Sequence, residues 1–278
     1  MCEIYRFVIK TTIPTSPILK KYIDCFYIYE GTPNSAFNYI AFPHFNTGLS
    51  IFTGVSVQRK QWSLEFSEKP YKGVHVEILG KYTSPLLIEY RGEVREVSII
   101  FKPLGLNRFI RENYASLAPE FSQELNNDQW RQFGETLFSK DINLSKLESF
   151  LLYQFSENQS LLKIETSLQL LVNNIEQIPI SAIATMAGLN LKTYQRYFKK
   201  HMGCSPIEYR RICRFRNSLT NKLNSSELKN LTTITYEEGF FDQSYFIREF
   251  RKLTNHNPKD FFKSTSKVDG DQIIWEIK

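Results

Sequence analysis

ISAIATMAGLNLKTYQRYFKKHMGCSPIEY, residues 180–209, is echoed about fifty residues later by ITYEEGFFDQSYFIREFRKLTNHNPKDF, residues 234–261. The first copy spaces Ile183-Ala184, Gly188, Asn190, Tyr194, Arg196, Phe198, Gly203, Pro206 and Tyr209. The second spaces Ile234-Thr235, Gly239, Asp242, Phe246, Arg248, Phe250, Asn255, Pro258 and Phe261. Each copy reads as a short helix, a glycine turn, a capped second helix and a proline-marked exit. That is the plan of a helix-turn-helix reader of DNA, present here twice.

In the first copy, Ala182, Ala184 and Ala187 are small enough for a second helix to cross closely. Gly188 stands where a C-cap needs positive φ, and Asn190 caps the helix that follows. Helical spacing puts Leu191, Tyr194 and Phe198 on one face, and Lys192, Gln195, Arg196 and Lys199 on the other. In the second copy Asp242 is the cap and Phe246 and Phe250 face inward, which leaves Gln243, Ser244, Arg248 and Arg251 outside. Long donors of this kind suit base edges and phosphates. Between the copies, Ile207–Leu223 reads as one helix carrying Arg210, Arg211, Arg214 and Arg216. Such a spacer would set two recognition helices on successive major grooves, about 34 Å apart.

Charge follows the repeat. Residues 160–278 hold 18 Lys and Arg against 12 Asp and Glu, whereas residues 1–159 are balanced at 17 and 17. The net +6 therefore belongs to the repeated half, and from Lys192 to Arg216 eight basic residues face only Glu208. This density fits a phosphate backbone. No apolar run is long enough to span a bilayer. The four cysteines, Cys2, Cys25, Cys204 and Cys213, form no CxxC pair and read as reduced thiols of a cytoplasmic protein.

The first 103 residues read as β. Asp24–Glu30, Leu49–Phe52, Val74–Leu79, Leu86–Tyr90 and Val94–Phe101 are short, rich in Val, Ile, Tyr and Phe, and punctuated by Gly, Pro or Asn, as in a sandwich or barrel. Pro17–Tyr22 reads as a short helix. From Leu104 the period turns helical: Leu106, Phe109, Ile110 and Tyr114, then helices at Asp128–Phe138 and Leu144–Phe155 with Asp128 and Asn143 as N-caps. Ser156–Ser160 reads as a hinge, Leu161–Asn173 as an amphipathic helix, and Ser264–Lys278 as a loose tail. The expected fold is α+β in two domains. The first, 1–159, is a β-rich, cupin-like sandwich or half-barrel (about 1–103) with helices after it (about 104–155). The second, 160–265, is all-α, and 266–278 is a tail.

Residues 165–263 resemble the DNA-binding domain of the AraC/XylS family of bacterial transcription regulators, two helix-turn-helix units joined by a linker helix. The resemblance rests on the run from Ile234 to Pro258, above all Gly239-Phe240, Asp242, Ser244, Phe246, Arg248 and Phe250-Arg251-Lys252. Departures fall at Thr235, Glu238, Phe241 and Asn255, the last tolerable because Asn also visits left-handed backbone. The resemblance implies base-facing roles for Lys192, Gln195, Arg196, Gln243, Ser244 and Arg248. Lys199 and Arg251 fall to phosphates, as do N–H groups at helix starts. It implies double-stranded DNA as partner and an N-terminal sensing or dimerisation domain. RNA polymerase, a small-molecule effector and a second copy of the chain stand as further candidate partners.

Nothing points to a cofactor, and no catalytic constellation is complete. His75 and Glu77 would share a strand face and His44 stands apart, but two ligands do not make a metal site. The aromatics Phe26, Tyr27, Tyr29, Tyr39, Phe42, Phe45, Phe52, Trp62 and Phe66 suit a core, or the lining of an effector pocket. Two rival readings remain. One is an enzyme or metal-binding cupin-like domain fused to a DNA reader. The other is a protein-interaction adaptor whose tandem units no longer read DNA, a reading that rests on Glu238 and Phe241.

Overall fold

The computed structural model describes residues 7–70, 73–139, 141–173, 178–224, 243–264, 266–268 and 273–277. Two six-stranded sheets dominate the N-terminal half. The first is ordered β1 (Phe7–Thr12), β2 (Ile23–Gly31), β9 (Arg95–Phe101), β4 (Thr47–Thr53), β7 (Val74–Leu79), β10 (Ser122–Glu124), antiparallel throughout. The second is ordered β11 (Ser266–Val268), β12 (Ile273–Ile277), β3 (Ala36–Ala41), β8 (Leu86–Arg91), β6 (Ser63–Glu68), β5 (Val55–Lys60), with β6 and β8 parallel.

Strand alternation divides the first sheet between two cores. Tyr27 and Tyr29 of β2 face the second sheet and pack with Phe37, Tyr39, Phe66 and Tyr90. The Tyr29 and Tyr90 rings stack at 4.4 Å. On the opposite face Phe26, Ile51, Val97 and Ile99 meet Trp130 of α3 (Asp128–Phe138) and Leu151 of α4 (Leu144–Gln154). The result is three layers, sheet on sheet on helix. Covered on both faces, β4 is buried at six successive residues, as a central strand must be.

The strands read from the sequence all form. So do α1 (Pro17–Tyr22), α3 and α4. The cap of α3 is Asn127 instead of Asp128: its side chain accepts from the N–H groups of Gln129 and Trp130, while Asp128 begins the helix. Asn143 caps α4 as expected. The helical period at Leu106–Tyr114 marks buried residues correctly, but the backbone there makes only a 3-10 turn, Leu106–Arg108, and the four-residue α2 (Tyr114–Leu117). Asn113 interrupts it by accepting from Ser116 N–H.

Two further expectations need correction. Ser156–Ser160 is tied down, because Ser156 N–H donates to Arg108 O at 2.8 Å and Arg108 Nη1 donates to Asn158 O at 3.1 Å. Arg108 also pairs with Glu165 of the next helix. Nor is the tail loose. Strand β12 pairs antiparallel with β3, with Trp275, Glu276 and Ile277 opposite Ala41, Ile40 and Tyr39.

The helical half comprises α5 (Leu162–Asn173), α6 (Ile180–Met186), α7 (Leu191–Met202), α8 (Pro206–Asn224), α9 (Gln243–Thr254) and α10 (Pro258–Ser264). It is seated on the β part. Leu104 and Phe45 join the core around α7. Phe42, just after β3, joins Phe215, Phe246, Phe250 and Phe261. Arg216 of α8 donates from Nε to Pro43 O at 2.7 Å and from Nη2 to Phe42 O at 2.5 Å.

Candidate nucleic-acid interface

The first unit is specified residue by residue. Ile183 and Ala184 bury the inner face of α6. Gly188 then takes φ +69. Its N–H donates to Thr185 O, and Leu189 N–H donates to Ala184 O, both at 2.9 Å. This pair of bonds is the Schellman stop, which satisfies carbonyls the helix would otherwise orphan. Asn190 restarts the chain as α7 by accepting from Thr193 N–H at 2.9 Å.

On α7, Tyr194 and Phe198 are fully buried, and Tyr194 OH donates to Ser167 Oγ at 3.0 Å. Lys192, Gln195, Arg196, Lys199 and Lys200 are exposed. Leu191 departs from the expected inner face and is exposed too. The helix closes at Gly203, φ +75, whose N–H donates to Lys199 O. A Cβ there would sit 2.3 Å from Cε1 of Tyr114 in α2. Ser205 and Glu208 then cap each other's N–H, at 2.8 and 3.2 Å, and launch α8. These bonds hold the Glu208 carboxyl below the usual carboxylate range.

The second unit shows the same logic in α9. Phe246, Phe250 and Leu253 are buried, while Gln243, Ser244, Arg248 and Arg251 are exposed. The helix ends at Asn255 in left-handed backbone, φ +59. The expected supporting helix and cap, with Ile234, Thr235, Glu238, Gly239, Phe241 and Asp242, lie outside the described residues.

The linker helix α8 buries Arg216 wholly and Arg210, Arg211 and Arg214 in part. Arg210 donates to Ile178 O at 2.8 Å. Arg211 pairs with Glu249 of α9 at 3.4 Å, and Arg216 is buried. Of the eight basic residues counted from Lys192 to Arg216, the four on α7 face solvent and the four on α8 are wholly or partly buried. A cleft of about 200 Å³ lies between α6, α8 and α9, lined by Arg210, Arg211 and Arg214. Sequence reasoning saw these arginines but not where α8 turns them.

In the β part, Glu77 is taken up by Arg59 at 2.5 Å, His75 at 2.7 Å and Ser122, so the His75–Glu77 pair belongs to an ion-pair network. Among the described residues no group of three or more His, Cys, Asp or Glu side chains is placed to hold a metal. Glu96 is buried between the sheets and accepts from Tyr27, Tyr90 and Ser98 at 2.7, 2.6 and 2.5 Å. Burial holds its carboxyl above the usual range. A cavity of about 90 Å³, partly open to solvent, lies where the β part meets α8, and Arg216 forms one wall.

In the first unit a helix, a glycine stop and a capped second helix with a basic solvent-facing surface have the form of a helix-turn-helix. Residues 183–264 match a helix-turn-helix domain family, and residues 11–122 match a domain of unknown function, DUF6597. Residues 183–264 form a helix-turn-helix domain of the AraC type. Over 92 residues the chain is 32% identical to the uncharacterized HTH-type transcriptional regulator YdeC of Bacillus subtilis, a stretch that is 33% of this chain and 31% of that one. It is 32% identical over 85 residues to the HTH-type transcriptional activator RhaS of Salmonella arizonae, 31% and 30% of the two chains. The match thus spans about a third of these relatives' length. ToxT from Vibrio cholerae superposes at a TM-score of 0.44 with 14% identity, over 92% of this chain and 98% of that one. Among the described residues no helix is long and apolar enough to cross a membrane.

Proposed function

We propose that the chain is a sequence-specific DNA-binding transcription regulator. Residues 160–265 read the operator, and the charge-neutral β part, 1–159, modulates them. The observation that carries this reading is the first unit: a Schellman stop, an Asn190 cap and a recognition helix whose solvent face is Lys192, Gln195, Arg196 and Lys199. Arg196 and Arg248 occupy equivalent positions and are assigned to bases, with Lys192, Gln195, Gln243 and Ser244 beside them. Lys199 and Arg251 are assigned to phosphates.

The test begins with an operator selected from genomic fragments by the full-length protein. Arg196→Ala and Arg248→Ala should each weaken operator binding by about 1–3 kcal/mol while sparing random DNA. Lys199→Ala should weaken both and lower the salt slope by about one. Equal losses on operator and random DNA would make the two arginines phosphate anchors. A folded protein without DNA affinity at low salt would end the regulator reading and favour the adaptor.

A further inference from the structure

His201 and Leu253 occupy equivalent places near the ends of α7 and α9, each five residues after the arginine of its helix, Arg196 or Arg248. Leu253 fills a core. His201 is buried too, 7% exposed, yet neither ring nitrogen has a hydrogen-bond partner among the described residues. Burial, and then the Lys200 charge, pull its pKa down to about 4, so the ring is neutral at neutral pH. A buried polar group left unanswered costs stability, and packing alone would favour the leucine. His201 borders a cavity of about 300 Å³ between the tip of α7, the turn before α2 and residues 158–160. Asn107 in that turn repeats the pattern. It is 6% exposed and lines the same cavity, and its side-chain amide has no partner among the described residues.

What the cavity offers is hydrogen-bond donors. Asn113 and Asn158 use their side-chain oxygens as caps, accepting from Ser116 N–H at 3.2 Å and Ser160 N–H at 3.1 Å, which leaves each amide its NH2 group. The backbone carbonyls of Asn158 and Ser160 are taken by Arg108 and by Tyr197 OH. Arg111 and Lys200 add two cations to the walls. Both are exposed, and neither is in an ion pair among the described residues. Glu112, the acid in the lining, is exposed, where water and salt screen it. Two positive charges and several N–H groups exceed what the two oxygens of a carboxylate can use. They match a phosphate dianion with three or more acceptor oxygens. We propose that this cavity binds a phosphate group, held by Arg111, Lys200 and the amides of Asn107, Asn113 and Asn158. The volume, that of roughly ten waters, leaves room for a small organic substituent, so free phosphate and a small phosphate monoester share the chemistry. Bound there, the group would join α7 to the turn before α2 and to residues 158–160. Any effect on DNA reading rests on the regulator reading above, but the site itself does not.

The experiment is a thermal-shift titration of the full-length protein, without DNA, in a phosphate-free buffer. The probes are inorganic phosphate and glycerol phosphate, kept below about 10 mM so that general stabilisation by salt stays small. Chloride at equal ionic strength and glycerol run beside them. At least one phosphate should raise Tm by several degrees and saturate, while chloride and glycerol do not. A larger shift with glycerol phosphate assigns the site to an ester, and a larger shift with inorganic phosphate assigns it to the free ion. Arg111→Gln changes an exposed side chain and should weaken the apparent affinity about tenfold, the loss of one charge-assisted bond. Asn107→Leu, close to it in volume, should weaken it from inside the wall. A series in which neither phosphate shifts Tm, in which chloride matches phosphate, or in which folded Arg111→Gln protein binds phosphate as tightly as the parent, overturns the proposal. If Arg111→Gln lowers DNA affinity while phosphate gives no shift, the donors serve the DNA backbone and the proposal falls as well. Because the shifts are read without DNA, a chain that binds phosphate but not DNA would sink the regulator reading and leave this site standing.

Discussion

The two helices α7 and α9 are alike in front and different behind. Each has 12 residues, buries two aromatics four positions apart and turns a basic, polar face to solvent. Among the described residues, α7 rests on a core built by α5, α6 and α8, with Leu104 contributed from before the helical half. Its tie to α2 is a close approach, Gly203 against the Tyr114 ring. Behind α9 are α8, α10 and a ring from the β part, Phe42. Each unit carries residues from outside the helical half in its core, Leu104 and Phe45 in the first and Phe42 in the second, and the first also meets α2 at the tip of its helix. A change at Phe42 should therefore reach α9 through packing, whereas α7 is reached through Leu104, Phe45 and the placement of its C-terminal end.

The largest expected effect separates the two. Phe42→Ala should cost about 3–5 kcal/mol, as burial of a phenyl ring and the cavity left behind both count. Hydrogen exchange should quicken across Phe246–Leu253 and much less across Tyr194–Met202. Equal quickening in both helices would erase the distinction. Next comes the glycine contrast. Gly188→Ala and Gly203→Ala both place a Cβ in left-handed backbone, worth about 1–2 kcal/mol. Gly188 has nothing within 4 Å of the new atom, whereas Gly203 has Tyr114. Denaturant melts should show the Gly203 variant to be the weaker, and adding Tyr114→Ala should not deepen its deficit by the full cost of that change alone. If the two glycine variants match, α7 does not lean on α2. The smallest effect is local: Asn190→Ala should remove about 1 kcal/mol by uncapping α7, leaving exchange in α9 unchanged.

The first unit was legible because its signals are local. Gly188 and Asn190 each act within four residues of themselves, and a periodic aromatic face needs only its own helix. The same locality found α3, α4 and the central strands. What escaped depended on distant partners. The stretch Ile273–Ile277 is apolar enough for a strand, but its partner β3 lies more than two hundred residues earlier, so it read as tail. Arg216 looked like one more basic residue on a helix surface. Only the packing of α8 against Phe42 and Pro43 shows that it faces inward. At Leu106–Tyr114 the apolar spacing was right and the conformation was not, because Asn113 offers the backbone a competing cap.

The β3–β12 pairing also has a consequence for synthesis. Domains generally fold as their residues leave the ribosome, and β3 emerges long before β12. Until residues 273–277 follow, the β3 edge, Ala-Phe-Asn-Tyr-Ile-Ala, is an open strand with no charge and no proline to guard it. Such an edge invites pairing with another chain. The nascent sheet therefore waits, with one side unfinished, while both helix-turn-helix units are made. A chain stopped after α10 would carry that exposed edge for its lifetime, so the last strand protects the first domain from its own neighbours on the polysome.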